Sequence, residues 1–323
     1  MTASTTPRPA AARNRSAAAG AIAVAGALAL VLTGCGDQTK NHPKDGDGSS
    51  GSAGASAPLF DKLPQSVKSS RVVRVGSDIA YPPVEFKKDG RTVGMDPDIA
   101  DAIGKQLGVR FEFNNATFDT LVAGLRSKRY DVAMSAMTDT KDRQNGIDPD
   151  TKKQVGQGLD FVDYFQAGVS LYTPKGKTQS IKGWSDLCGK KVVVQRGTVS
   201  HNLTKQQSEK CGDDKKISIE AFDTDILAQT RLRSGGADAA ASDFPVAAYA
   251  VKTSGGGNDF EIVGDQVEAA PYGIATAKDQ TQLRDAIKAG LDNIIKNGEY
   301  AKILDKWGVS AGAVKEARIN GGS

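Results

Sequence analysis

Apolar and polar positions divide this 323-residue chain into three regimes. Ala17 to Leu32 is an almost unbroken apolar run, rich in Ala, Val and Leu. Gly36 to Pro58 is mostly Gly, Ser, Ala, Asp and Lys, with almost nothing to bury, and reads as a flexible linker. From about Leu59 to Val309 periodic patterns set in. Val72-Val73-Arg74-Val75 is a short strand ending in the polar turn Gly76-Ser77-Asp78. Tyr81-Pro82-Pro83 stays extended, because each Pro pushes its predecessor out of the helical region. After a turn at Lys87 to Gly90, Ile99, Ile103 and Leu107 recur at helical spacing. Asp96-Pro97-Asp98 offers that helix a cap, a starting Pro and an N-terminal acid. Val109 to Phe113 alternates as a strand, Phe118 to Arg126 is helical with Leu121, Val122 and Leu125 inward, and Val132 to Met134 is a buried strand.

The same grammar restarts past Phe161. Val192 to Val194 is a strand ending at Gln195-Arg196-Gly197-Thr198, with a helix following through Leu203. Ile217 to Phe222 is a strand, Ile226 to Leu232 a helix, and Ala237 to Ala241 a strand of small residues. Asp243 and Pro245 open another helix, Phe260 to Val263 is a strand, and Leu283 to Ile295 and Tyr300 to Trp307 are amphipathic helices. Alternation of strand and helix predicts two α/β lobes built on parallel sheets. Ligands in such folds bind at the carboxyl ends of strands, so the cleft between the lobes is where the polar turns would gather.

Charge changes the picture at the N-terminus. Arg8, Arg13 and Arg15 precede the apolar run with no acid among them, the order of a secretory leader. The run is short for a membrane span, and no second one of spanning length follows it. The chain carries 42 basic and 38 acidic residues, a net +4. Losing the three leader Arg leaves about +1, which lacks the basic footprint of a nucleic-acid binder. Leu32-Thr33-Gly34-Cys35 resembles the bacterial lipoprotein signal. That resemblance implies that Cys35 becomes lipidated and is the first mature residue; an ordinary leader cut nearby would leave it a free thiol. Cys188 and Cys211 then remain as a pair, and outside the cytoplasm a disulfide is the expected state. His42 lies in the linker and His201 stands alone, so no metal site is expected, and no cofactor.

Four polar clusters sit at strand ends: Asp78 with Tyr81, Ser135 to Thr138 shortly before Arg143, Gly197-Thr198, and Ser242-Asp243. A free α-amino acid would suit them. Arg143, Thr138 and the helix start at Thr198 supply donors for a carboxylate. Asp243 supplies an anion for the ammonium, Tyr81 and Phe118 can sandwich a side chain, and Asp78 can accept from it. Each residue also has a plainer use. Arg143 could pair on a helix surface with Asp139 or Asp142, Asp243 and Thr198 could cap helices, Ser135 could satisfy a strand end, and the aromatics could be core.

The order of these segments resembles family 3 of the extracellular solute-binding proteins, amino-acid-binding components of bacterial ABC importers. Gly94-Met95-Asp96-Pro97-Asp98-Ile99-Ala100 is similar to the family signature, and Gly76 to Phe86 to its N-terminal strand and turn. Phe118 to Leu121 and Tyr130 to Arg143 resemble its ligand-carboxylate segment. Gln195 to Thr198 and Asp238 to Asp243 resemble its second-lobe contacts, and Gly298-Glu299-Tyr300 with Lys306-Trp307-Gly308 its ending. The resemblance implies a two-lobed, periplasmic-binding-protein-like (type II) fold with two crossing strands as hinge. Residues 1–34 would be signal peptide, 35–58 linker, 59–167 and 270–323 the first lobe, and 168–269 the second. It implies a binding protein, not an enzyme, that captures a polar or basic amino acid between closing lobes. Asp78, Tyr81, Phe118, Ser135, Thr138, Arg143, Thr198 and Asp243 would form the site. Partners would be an ABC permease and ATPase and, through the lipid, the outer face of the cell membrane, as suits a Gram-positive bacterium; a monomer is expected. An enzyme on the same fold, of the cyclohexadienyl dehydratase kind, and a ligand-sensing partner of a membrane receptor are the alternatives. Two departures stand out: the stretch Gln144 to Gly158 lengthens the path to Asp160-Phe161 and could cover part of the cleft, and Asp139 puts a negative charge beside the carboxylate donors.

Overall fold

The computed structural model describes residues 57–177 and 180–323; the leader, Cys35 and nearly all of the linker lie outside them. In chain order the strands are β1 (Val72–Ser77), β2 (Ala80–Tyr81), β3 (Glu85–Lys88), β4 (Arg91–Val93), β5 (Arg110–Asn115), β6 (Val132–Ala133), β7 (Leu159–Pro174), β8 (Lys191–Gln195), β9 (Ser218–Phe222), β10 (Ala239–Asp243), β11 (Phe260–Ala277) and β12 (Arg318–Ile319). The helices are α1 (Gln65–Ser70), α2 (Met95–Leu107), α3 (Leu121–Arg126), α4 (Lys141–Asn145), α5 (Val199–Lys210), α6 (Asp225–Arg233), α7 (Phe244–Thr253), α8 (Thr281–Lys296) and α9 (Glu299–Trp307).

Among the described residues one sheet runs in the order β5-β1-β6-β11-β7-β10-β8-β9, with β12 added on β7. β1 pairs in parallel with β5 and β6, and β8 with β9 and β10, as the alternating grammar requires. The antiparallel strands β7 and β11 tie these halves together. They are far longer than the short strands read from the sequence, because each leaves one half of the sheet and continues into the other. Their pairing slips between Val263 and Ala270, where the chain passes between the halves.

Each half has its own core, giving two lobes. In the first, Val73, Val75, Ile99, Ile103 and Leu107 pack with Ile287, Leu291 and Tyr164. In the second, Val192 and Val194 face Leu171, Ile217 and Ala241, while Val193 faces Tyr172, Leu232, Ala247 and Phe260. A strand buried on both faces reads as a continuous apolar run rather than an alternation, which is what Val192–Val194 does. The small side chains Ala239–Ala241 let helices lie close on both faces of β10.

Two expectations change. Helix α2 starts at Met95 with Gly94 as its cap residue, so Asp96 sits inside the first turn with its carboxylate buried rather than capping. The ordered fold also runs past Val309 to the end of the chain. There β12 pairs with β7, Asn320 exchanges hydrogen bonds with Phe161, and the Gly321 and Gly322 amides donate to Asp163 and Asp139 at 2.9 and 2.8 Å. Backbone and carboxylates hold this tail, so no apolar period announced it.

Cys188 and Cys211 form a disulfide in the second lobe, with Cα atoms 5.5 Å apart and a sequence separation of 23. Replacing both by serine is expected to cost about 2–4 kcal/mol, a fall in Tm of roughly 5–15 °C. Thermal melts of the oxidised protein and the double variant check this; equal Tm values would show that the bridge contributes nothing.

Candidate functional site

The strand ends converge where the lobes meet. A small cavity of about 10 Å³ is lined by Tyr81, Phe118, Ser135 and Thr138 from one lobe and by Gln195, Thr198 and Asp243 from the other. That is room for about one water, so the lobes are closed on each other. Six of the eight expected residues line this cavity. The other two flank it: Asp78 is buried under Gln195, and Arg143 faces an outer cavity of about 590 Å³. Among the described residues no cluster of acids, His or Cys is grouped to hold a metal ion.

Asp78 follows β1 directly. Its amide donates to Ser135 Oγ (3.0 Å), and its carboxylate accepts from Gln195 Nε2 of the other lobe. Burial pushes its pKa up to about 7 against the Gln195 hydrogen bond, and Asp225 and Asp119 add to the rise. Asp243 ends β10. Its side chain makes no cap bond to α7, so capping is not its role. Burial raises its pKa to about 6, opposed by the Tyr272 and Tyr81 hydroxyls and, more weakly, by Arg143.

Arg143 is not the surface ion pair that composition allowed. Asp142 pairs with Lys152 (2.9 Å), while Asp139 accepts from Gln144 Nε2 (2.7 Å) and the Gly322 amide. Arg143 instead donates from Nη1 to the Thr138 carbonyl (2.7 Å) and from Nη2 to the Gly197 carbonyl across the cleft (3.1 Å). Its guanidinium lies 5.3 Å from the Phe118 ring centroid. Burial lowers its pKa to about 10, with Asp243 and Asp139 pulling the other way. Gly197 has φ +77° and would bring a Cβ 3.0 Å from Cβ of Asp119, so glycine lets this turn approach the first lobe.

Thr198 caps α5: its hydroxyl accepts from the His201 amide (3.1 Å) and donates to the Gln195 carbonyl (2.7 Å). The plainer reading of that hydroxyl therefore holds in this closed form, and the free groups here are backbone amides of the first turn of α5. Ser135 Oγ donates to Glu85 Oε1 at 2.6 Å. The next residue, Ala136, has φ +45°, a conformation that costs a non-glycine residue on the order of 1–3 kcal/mol.

The stretch after Arg143 forms a wall of the outer cavity through Gly146 to Asp150, Lys152 and Val155, facing α5. Asp150 reaches Lys205 on that helix. Asp139 points its carboxylate into the C-terminal tail, although its charge still acts on Arg143.

Gln195, the last residue of β8, stands at the strand end and in the segment resembling second-lobe contacts, and it reaches across to Asp78. Two further site neighbours carried no sign in the sequence. Asp225 stands at the start of α6, fully buried, accepting from Ser242 Oγ and Gln229 Nε2. Tyr272 comes from the middle of β11, where nothing local marks it.

Closed lobes sharing two long strands, with buried acids and Arg143 gathered where they meet, define a two-lobed α/β binding protein. The family model for bacterial extracellular solute-binding proteins, family 3, matches residues 73–310, and the chain belongs to that family. It is 30% identical over 262 residues to the arginine-binding protein ArgT of Corynebacterium glutamicum, covering 80% of this chain and 81% of that one. It is 31% identical over 237 residues to the arginine-binding extracellular protein ArtP of Bacillus subtilis, covering 72% and 84%. Among solved structures, an ancestral arginine-binding protein bound to arginine superposes with a TM-score of 0.65 at 37% identity, covering 73% of this chain and 97% of that one. The chain is accordingly an extracytoplasmic amino-acid-binding protein of the ABC-importer kind. Its relatives are named for binding and not for catalysis, which sets aside the enzyme alternative.

Proposed function

We propose that the ligand is a basic amino acid, with L-arginine as first choice. The observation that carries this is the charge balance around the cleft: Asp78, Asp225 and Asp243 are buried there, and among the described residues one cation, the half-buried Arg143, acts on Asp243 from the cleft edge. An α-amino acid with a neutral side chain brings an ammonium and a carboxylate, which Asp243 and Arg143 satisfy, leaving Asp78 and Asp225 without a counter-charge. A cationic side chain supplies one. In this reading Arg143, Thr138 and the amides at Thr198 hold the carboxylate, and Asp243 holds the ammonium. Tyr81 and Phe118 clasp the aliphatic stem, and Asp78, backed by Asp225, meets the side-chain cation. The arginine-binding names of the relatives support the same choice.

The lobes would comprise residues 59–167 with 270–323, and 168–269, bending where β7 and β11 cross. A ligand touching both favours the closed form, so binding becomes a population shift that a permease can read. Cys35 would carry the lipid, and the linker would let a monomeric receptor range roughly 25 Å from the membrane. A thermal-shift screen of the twenty amino acids, followed by calorimetry, tests the reading. Arginine is expected to raise Tm most, with lysine next. No shift with any amino acid would overturn it.

A further inference from the structure

Behind the ligand segment lies a pair of carboxylates that no part of the binding reading uses. Glu85, at the start of β3, and Asp96, in the first turn of α2, are both fully buried. Burying two acids together is costly, and an apolar pair of similar volume would serve stability better. Their hydrogen bonds point to another use. Asp96 accepts the Tyr164 hydroxyl on Oδ1 and Oδ2 (2.7 and 2.8 Å) and the Ala136 amide on Oδ2 (3.2 Å). Glu85 accepts from Ser135 Oγ, which in turn accepts from the Asp78 amide. Every acceptor bond of the pair thus ends on the ligand segment or on β7, the strand both lobes share.

We propose that Glu85 and Asp96 are positioning residues: they hold Ser135 and the left-handed Ala136, and so aim the Ser135–Thr138 segment and Arg143 at the ligand carboxylate. Ala136 adopts positive φ only because its surroundings over-determine it. The Asp96 bond to its amide is the tie on the N–H side, and the Glu85–Ser135 bond fixes the residue before it. Thr138, two residues on, presents to Arg143 the carbonyl that orients the guanidinium. The two acids divide their protonation. Asp96, with its hydroxyl and amide donors, is the member suited to charge. Glu85 keeps Oε2 buried without a hydrogen-bond partner, and burial and Asp96 push its pKa far up, so it stands neutral.

The inference rests on the amino-acid-binding reading, and the test separates the two. Full-chain Asp96→Asn, Glu85→Ala, Glu85→Gln and Tyr164→Phe variants are titrated with arginine and, in competition, with agmatine, which is arginine without its carboxylate. Asp96→Asn is expected to weaken arginine at least tenfold and agmatine less than threefold, since Asn puts an NH2 donor where one acceptor oxygen stood and removes the charge that strengthens the bonds from Tyr164 and Ala136. Glu85→Ala should weaken arginine similarly, with Glu85→Gln rescuing it because an amide mimics the neutral acid. Tyr164→Phe keeps the ring and removes one donor, so it carries the test if Asp96→Asn does not fold; it should show the same bias against arginine at a few-fold. The control Asp98→Asn, at a half-buried acid that accepts from Lys306 and Trp307 and makes no bond to the ligand segment, should bind as the parent does. Equal losses for arginine and agmatine, or unchanged arginine binding in all variants, would overturn the proposal. A parent protein that binds neither compound would instead sink the choice of ligand.

Discussion

Arg143→Ala is expected to weaken amino-acid binding by about 3–5 kcal/mol, more than a hundredfold. Two effects add. The ligand carboxylate loses a forked, charge-assisted donor pair. The ligand is meanwhile still drawn in by Asp243 and Asp78, so its carboxylate would be buried with its charge unmatched. Closure suffers as well, because Arg143 donates to Gly197 across the cleft. Lysine is no substitute: it offers a point charge in place of a planar fork, and it could not span Thr138 and the ligand together. Arg143→Lys should therefore recover only part of the loss. Titration calorimetry at pH 8 measures both variants, and undiminished affinity in Arg143→Ala would remove this residue from the site.

Much of this site was legible because strand ends are legible. Asp78, Ser135, Thr138 and Asp243 follow or end short apolar strands, and a parallel α/β sheet brings such ends to one edge. Local chemistry could not say which use each side chain would take. Thr198 and Asp243 both precede helices, yet the Thr198 hydroxyl caps its helix while the Asp243 carboxylate makes no cap bond and the Asp243 amide donates to the Tyr81 hydroxyl. That choice depends on rings contributed from residues far off in sequence. The lengths of β7 and β11 were hidden for a related reason: a strand that leaves one core for another changes its burial pattern at the crossing, so its apolar period breaks where its backbone does not. The tail after Val309 is ordered by amides and carboxylates, which carry no period at all.

Acid should strip the ligand from this protein. Between the closed lobes Asp78 has a pKa of about 7 and Asp243 of about 6, both above the ordinary aspartate value near 4. A cationic ligand pairs only with the ionised forms. Affinity is therefore full above pH 7 and is lost as pH falls through these two values, each group contributing up to tenfold per pH unit below its own. Between pH 8 and pH 5 arginine binding should weaken by about a hundredfold or more, and binding near pH 6 should release protons, visible as a buffer-dependent heat in calorimetry. The stability of the empty protein runs the other way. Raised folded-state values mean that the folded form holds protons the unfolded chain has already lost, so these groups favour folding most at low pH and progressively less as pH rises from about 4 to 7. The Tm gain produced by arginine should grow from pH 5 to pH 8 even as these groups withdraw support from the empty protein. Asp78→Asn should flatten the upper part of the affinity profile while weakening binding at pH 8. A profile with no slope between pH 5 and 8 in the parent protein would show that neither carboxylate meets a cation, and the basic-ligand reading would fall with it.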